Sequence, residues 1–267
     1  MIVDGRALAE EILSEVQSVS EGFSRPPILG IITCAPNFET QKYLGMKRLR
    51  AERVGIDTEL VEVETTITTE ALIEKIQALV QRTNGVVLQL PLPASIRLDE
   101  VLCAIPPSHD VDALNPLTTR VLSPVMGAIA AIIAKHAIPL AVSHVTIIGS
   151  GRLVGLPAGR WFTEVGASVS MVTKDTVDVP YYTRTADIIV CGAGVPGLLT
   201  PDMIKEGVAI FDAGTSEDGG VLRGDADPAC ADKASLFTPV PGGIGPMTIA
   251  ILLRNVAELT KIQSGRY

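Results

Sequence analysis

The sequence predicts an α/β protein made of two parallel α/β units. Short apolar runs rich in branched residues recur along the chain, each bounded by Gly, Pro or polar turns. Stretches with apolar residues at helical spacing lie between them. This strand and helix rhythm runs once in the first third of the chain and starts again near Ser143.

Taken in order, Leu8, Ile12, Leu13, Val16 and Val19 recur at helical spacing, which predicts an amphipathic helix over 6–19. Three strands are expected at 28–34, 60–63 and 85–90, with helices over 40–54 and 69–82 between them. Thr68 or Thr69 would cap the second of these helices, with Glu70 in its first turn. The segment 125–138 is apolar apart from Lys135 and His136 and predicts a helical bridge between domains. In the second unit, strands are expected at 145–148, 167–172, 187–191 and 208–212, and a helix over 153–165. A final helix over 246–262 has Pro early and Ile249, Leu252, Leu253, Val256 and Leu259 on one face.

Composition narrows the function. The 267 residues are 47% hydrophobic and 19% charged, a globular balance that excludes wholesale disorder. Only 4% are aromatic and the formal net charge is −8, so a stacking, basic nucleic-acid groove is excluded. An anionic ligand must therefore be held by local donors. The start, Met1-Ile2-Val3-Asp4-Gly5-Arg6, has no basic and apolar leader pattern, and the longest uncharged run, 235–253, is broken by Pro239, Pro241 and Pro246. Neither export nor a membrane span is expected. Cys34, Cys103, Cys191 and Cys230 are far apart, which suits reduced thiols in a cytoplasm, and no metal-ligand spacing occurs.

The strand at 145–148 runs into Gly149-Ser150-Gly151-Arg152-Leu153-Val154-Gly155-Leu156-Pro157. Glycines there let the backbone turn tightly and approach a pyrophosphate, and the following helix offers free N–H groups. This predicts a Rossmann-type dinucleotide site. At the end of the second strand of that unit, Lys174 with Arg152 would meet a 2′-phosphate and so favour NADP, while the adjacent Asp175 leaves NAD open.

Tyr43 and Lys47 stand four apart, one turn along one face of a helix that also carries Lys42, Arg48, Arg50 and Arg53. Short-chain dehydrogenases also use a Tyr-x-x-x-Lys pair, but downstream of the glycine loop, and here it lies about a hundred residues upstream. Gln89-Leu90-Pro91-Leu92-Pro93 ends a buried strand with a polar amide in a rigid frame, at the end of the sheet where ligands bind. His109-Asp110-Val111-Asp112 sets two acids after a Pro-Pro turn, a setting in which acids commonly serve turns or caps. From Thr238 to Thr248, three prolines and three glycines stiffen a loop that leads into the last helix, more a shaped ligand wall than a passive connection.

Taken together, in this order and spacing and over nearly the whole chain, these segments resemble the bifunctional methylenetetrahydrofolate dehydrogenase/methenyltetrahydrofolate cyclohydrolase family. The resemblance implies two α/β domains flanking a cleft, in a cytoplasmic homodimer. Residues 1–120 with 246–267 would form the catalytic folate-binding domain and 139–245 the NAD(P)-binding domain, joined by the helix near 124–138. It implies oxidation of 5,10-methylenetetrahydrofolate with NADP, or NAD, and hydrolysis of the methenyl product to 10-formyltetrahydrofolate.

Carried over by position, Lys47 would be the general acid and base of the hydrolysis, and Tyr43 would pack on the folate. Gln89 would hydrogen-bond and tune Lys47, Leu90 would contact the folate, and Asp112 would bind its pterin ring. Pro239 and Gly243 would line the folate site. Gly149, Ser150 and Gly151 would hold the cofactor phosphates, and Thr215 would make a backbone contact near the nicotinamide. The chain departs from the family pattern at His109 and Ala113, across 122–127, at Ser150-Gly151 and at Thr173-Lys174. A family member with one activity and a non-catalytic folate or nucleotide binder are the alternatives; an amino-acid or shikimate-type dehydrogenase leaves 89–93 and 238–248 without a role.

Overall fold

A computed structural model describes residues 1–36, 38–218 and 221–265. The chain divides into two compact units, Glu10–Pro124 with Ile249–Tyr267, and Met1–Ala9 with Val125–Thr248.

The first unit holds a parallel sheet of three strands, β1 (Ile28–Cys34), β2 (Asp57–Val63) and β3 (Gly85–Leu88), in the order β2-β1-β3. Helices α1 (Gly5–Ser20), α2 (Phe38–Arg53), α3 (Thr69–Val80) and α4 (Leu98–Cys103) alternate with them. Thr68 caps α3 by accepting from the Ala71 amide at 3.2 Å. β1 is central and nearly all buried, which is why its sequence is apolar on both faces. Gly30 is the exception because Leu79 of α3 sits directly over it; a Cβ there would be 2.6 Å from the leucine Cγ. Ile32, Leu72, Ile76, Leu79, Val86 and Leu102 pack together between sheet and helices.

Beyond β3, the 109–112 segment adds a one-residue parallel bridge, Val86 to Asp110, with the Val86 amide donating to the His109 carbonyl at 2.7 Å. Asn255 fastens the same segment from helix α8 (Ile244–Gln263): its side-chain amide donates to the carbonyls of Val111 and Leu122, both at 2.8 Å.

The second unit holds a parallel sheet of five strands in the order β10-β7-β6-β4-β5. Its strands are β4 (His144–Ile148), β5 (Ser168–Val172), β6 (Ile188–Cys191), β7 (Ala209–Asp212) and β10 (Leu236–Phe237), with a hairpin of β8 (Ser216–Asp218) and β9 (Val221–Arg223) between β7 and β10. Helices α5 (Pro124–Lys135), α6 (Gly155–Glu164) and α7 (Val179–Thr183) belong to it. β4 pairs with β5 on one side and β6 on the other. The chain therefore changes direction across the sheet at β4, and the crevice beyond the carboxyl ends of β4 and β6 is the topological switch point.

Several boundaries differ from those expected. β2 starts three residues earlier, because its polar opening Asp57-Thr58-Glu59 pairs in register with Ile28-Leu29-Gly30. β3 stops at Leu88, although the Gln89 amide still donates to Ile32 at 2.8 Å. The helix expected over 125–138 ends at Lys135, and Ala137 takes a left-handed φ of 50°. α4, α7, β10 and the strands β8 and β9 have no counterpart in the sequence reading; each is six residues or shorter. Residues Met1–Ala9 group with the later unit, since Val3 and Phe237 pair through the Val3 amide and Phe237 carbonyl at 2.9 Å and Gly5 donates to Gly242 at 2.9 Å.

Candidate active site

In the three-strand unit, α2 places Tyr43 and Lys47 one turn apart, and β3 delivers Gln89 at its carboxyl end. The Lys47 ammonium lies 4.9 Å from the centroid of the Tyr43 ring and donates to Gln89 Oε1 at 3.1 Å. Gln89 is held in that orientation because its Nε2 donates to the Leu90 carbonyl at 2.9 Å. Lys42 and Arg48 on the same helix are exposed, and Arg53 pairs with Glu10 at 2.9 Å; Lys47 alone is buried, at 6% exposure. Burial holds its amine below the usual lysine range, opposed by the nearby Asp112 carboxylate. Burial in turn pushes Asp112 up to about 6, with Lys47 pulling it down and Asp110 pushing it further up. A lysine and an acid are thus both brought toward neutrality at one place, as proton-transfer sites require.

A cavity of about 100 Å³ opens beside Gln89 at the carboxyl ends of β1 and β3, lined also by Thr33, Cys34, Thr40, Leu90 and Pro91. Burial, and Glu64 after it, push the Cys34 thiol up, so it contributes apolar wall rather than a thiolate.

In the five-strand unit, Gly149 ends β4 with a φ of 100°, which only glycine adopts without strain. A Cβ there would lie 2.6 Å from the Gly192 carbonyl oxygen at the end of β6. Gly155, the first residue of α6, abuts the Gly149 carbonyl so closely that any side chain would overlap it. Gly151 between them is open; the nearest atom to a Cβ there is the Gly192 oxygen at 3.9 Å. No side chain caps α6. The bare loop, the uncapped helix start and the switch-point position fit a dinucleotide pyrophosphate. Ser150 and Arg152 are exposed on this loop and Lys174 is exposed just past β5.

Thr215 is exposed between β7 and β8. Pro239 and Gly243 close a tight turn, the Gly243 amide donating to the Pro239 carbonyl at 2.7 Å. The structure thus brings Tyr43, Lys47, Gln89 and Leu90 together, with Asp112 in electrostatic reach of Lys47. It gathers Gly149, Ser150, Gly151 and Arg152 at the end of β4, and sets Thr215, Pro239 and Gly243 elsewhere in the five-strand unit.

Two buried carboxylates, Asp110 and Asp225, hold backbone in place. Asp110 accepts from the Asn115 amide at 2.8 Å and the Thr118 hydroxyl at 2.7 Å, and so anchors the turn that carries Asp112. Asp225, fully buried, accepts three backbone amides of residues 193–195. The sequence reading set Asp110 among acids that serve turns or caps, the part it plays here; it missed Asp225, which nothing local marks. Among the described residues, no helix is long and apolar enough to cross a membrane.

Two family models match the chain: the tetrahydrofolate dehydrogenase/cyclohydrolase catalytic domain over residues 3–112 and its NAD(P)-binding domain over 124–264. The bifunctional protein FolD of Flavobacterium johnsoniae is 34% identical over 99% of both chains. That of Nitrosomonas europaea is 36% identical over 96% of this chain and 92% of its own. Among solved structures, the bifunctional FolD enzyme of Campylobacter jejuni superposes with a TM-score of 0.94 at 32% identity, covering 98% of this chain and 99% of that one. The Trypanosoma brucei dehydrogenase-cyclohydrolase, complexed with NADP cofactor and an inhibitor, gives a TM-score of 0.92 at 30% identity over 100% and 99% of the two chains. With both domain models matched in order and relatives of this identity along its full length, the chain belongs to the tetrahydrofolate dehydrogenase/cyclohydrolase family.

Proposed function

We propose that this chain, with NADP as its cofactor, oxidises 5,10-methylenetetrahydrofolate to the 5,10-methenyl cation and hydrolyses that cation to 10-formyltetrahydrofolate. The observation that carries the reading is the buried Lys47, stacked by Tyr43 and held by a neutral amide. In the first reaction NADP+ supplies the hydride acceptor; the protein's task is to orient the two partners and exclude water. Gly149, Ser150 and Gly151 would bind the phosphates, Arg152 and Lys174 the 2′-phosphate, and Thr215 would make a backbone contact near the nicotinamide. The five-strand unit is the dinucleotide domain and the three-strand unit the catalytic one.

In the second reaction water adds to the methenyl carbon and the bond from that carbon to N5 breaks. The neutral Lys47 amine accepts a proton from the water as the C–O bond forms, and returns one to N5 as the C–N bond opens. A second proton leaves to solvent. Gln89 holds Nζ without adding a charge that would keep it protonated. Tyr43 and Leu90 pack on the folate, and Asp112 binds the pterin ring.

The test is spectrophotometric. Wild-type protein should reduce NADP+ with 5,10-methylenetetrahydrofolate and consume the methenyl compound supplied alone. Lys47→Ala should abolish the second reaction and spare part of the first; wild-type hydrolysis in this variant would remove Lys47 from its role. A homodimer in the cytoplasm completes the proposal, and sedimentation of the purified chain at the monomer mass would count against it.

A further inference from the structure

The crevice between β4 and β6 has two walls. One is the Gly149 loop. The other is the 192–195 segment leaving β6, and it touches the first directly: Gly192 packs under the Val154 side chain, and its carbonyl faces Gly149. This second wall is held from behind by one side chain. Asp225 Oδ2 accepts the amides of Ala193 at 2.6 Å and Gly194 at 3.1 Å, and Oδ1 accepts that of Val195 at 2.8 Å. Gly194 has a φ of 70°, which turns successive amides toward one point. Such a nest of N–H groups ordinarily binds an anion; here the chain's own carboxylate fills it.

Asp225 is itself fixed. It is fully buried, its amide donates to Asp212 Oδ1 at 3.2 Å, and Gly214 lies so close that a side chain there would overlap the carboxyl. Asp212 ends β7 and also accepts from Gly214 at 3.0 Å and Ala226 at 2.8 Å. From its other side the wall is tied by the Ser216 hydroxyl, which donates to the Gly194 carbonyl at 2.9 Å.

We propose that Asp225 is a positioning residue for the dinucleotide: by holding the amides of Ala193, Gly194 and Val195 it fixes the wall of the β4–β6 crevice opposite the Gly149 loop. The inference rests on the dinucleotide reading of that crevice. Without the carboxylate, three inward-facing amides lose their acceptor, and the two glycines at 194 and 197, both at positive φ, let the segment swing. The phosphate loop then loses the surface against which Gly149 and Val154 are packed.

Asp225→Asn keeps the shape but turns an amide nitrogen toward backbone donors. Measured by calorimetry, its NADP+ affinity should fall about 10-fold or more, and kcat/KM for NADP+ about 100-fold, the scale of a 1 Å misplacement. Hydrolysis of the methenyl compound, which needs no dinucleotide, should stay within about twofold and reports that the same preparation is folded. Ser216→Ala loosens the same wall more gently and should weaken NADP+ binding a few-fold with hydrolysis intact. Wild-type NADP+ affinity in Asp225→Asn with hydrolysis retained overturns the inference. If Asp225→Asn loses hydrolysis as well, Ser216→Ala decides: weakened NADP+ binding supports the inference and unchanged binding overturns it. A wild-type chain that binds NADP+ but reduces none refutes the dehydrogenase reading, and the calorimetric comparison still stands.

Discussion

Exchanging Gln89 for glutamate is the sharpest probe of how the lysine is tuned. Gln89 Oε1 is 3.1 Å from the Lys47 ammonium, so an introduced carboxylate of the same shape adds a full charge at contact. At that distance and an effective dielectric of 20, the attraction is about 5 kcal/mol. The second oxygen then faces the Leu90 carbonyl in place of a donating Nε2. Part of that attraction only replaces the charge-assisted hydrogen bond that Gln89 already gives the Lys47 ammonium, worth about 2–3 kcal/mol. The remainder, about 2–3 kcal/mol, raises the Lys47 pKa by roughly two units at 1.36 kcal/mol each.

Only the neutral amine takes the proton from water, so the hydrolysis rate climbs as pH rises through that pKa. Wild-type Lys47 is already held low by burial. In Gln89→Glu the limb should move about two pH units alkaline, and hydrolysis below it should fall about 100-fold and recover at high pH. Gln89→Met, which removes the acceptor without adding charge, should shift the limb the other way. Stopped-flow loss of the methenyl compound across pH measures both. An unmoved limb in Gln89→Glu would refute the reasoning, since the charge would then not be felt at the reacting amine.

Two further outcomes follow from backbone geometry. Gly149→Ala puts a methyl 2.6 Å from the Gly192 oxygen at a φ of 100°; NADP+ binding by calorimetry should be lost or weakened at least about 10-fold, while hydrolysis survives, and a global stability loss of about 1–3 kcal/mol is expected. Ala113, next to Asp112, adopts a φ of 51°; Ala113→Gly relieves about 1–2 kcal/mol of left-handed strain against about 0.5–1 kcal/mol of added chain entropy, so denaturant melts should show a gain of about 0.5–1 kcal/mol.

Much of this was legible before the structure. Strands β1, β3, β4, β6 and β7 are buried on two faces, so their apolar runs stand out, and the glycine loop announces itself because tight approach admits no side chain. Tyr43 and Lys47 were legible because helical spacing alone puts them on one face, and Gln89 because a polar amide interrupts an apolar strand end. What escaped depends on partners remote in sequence. Asp225 meets amides 30 to 32 residues away, and Val3 meets Phe237 at the far end of the chain. The opening of β2 escaped because its residues are polar and partly exposed and belong to the sheet only through pairing with β1.

The division of the chain also governs the order in which the protein can finish folding. Each unit is assembled from an early and a late segment: Met1–Ala9 waits for Phe237 and Gly242, and the 10–124 stretch waits for Asn255 and Val256, which close on Val111 and Gly85. A ribosome delivers these pieces from the amino end at a pace of about 5–20 residues per second. Neither unit therefore has its complete set of contacts until residues 237–256 have emerged. Each unit completes itself only with late-made residues, and a truncation of the last helix removes part of the unit that residues 10–124 begin.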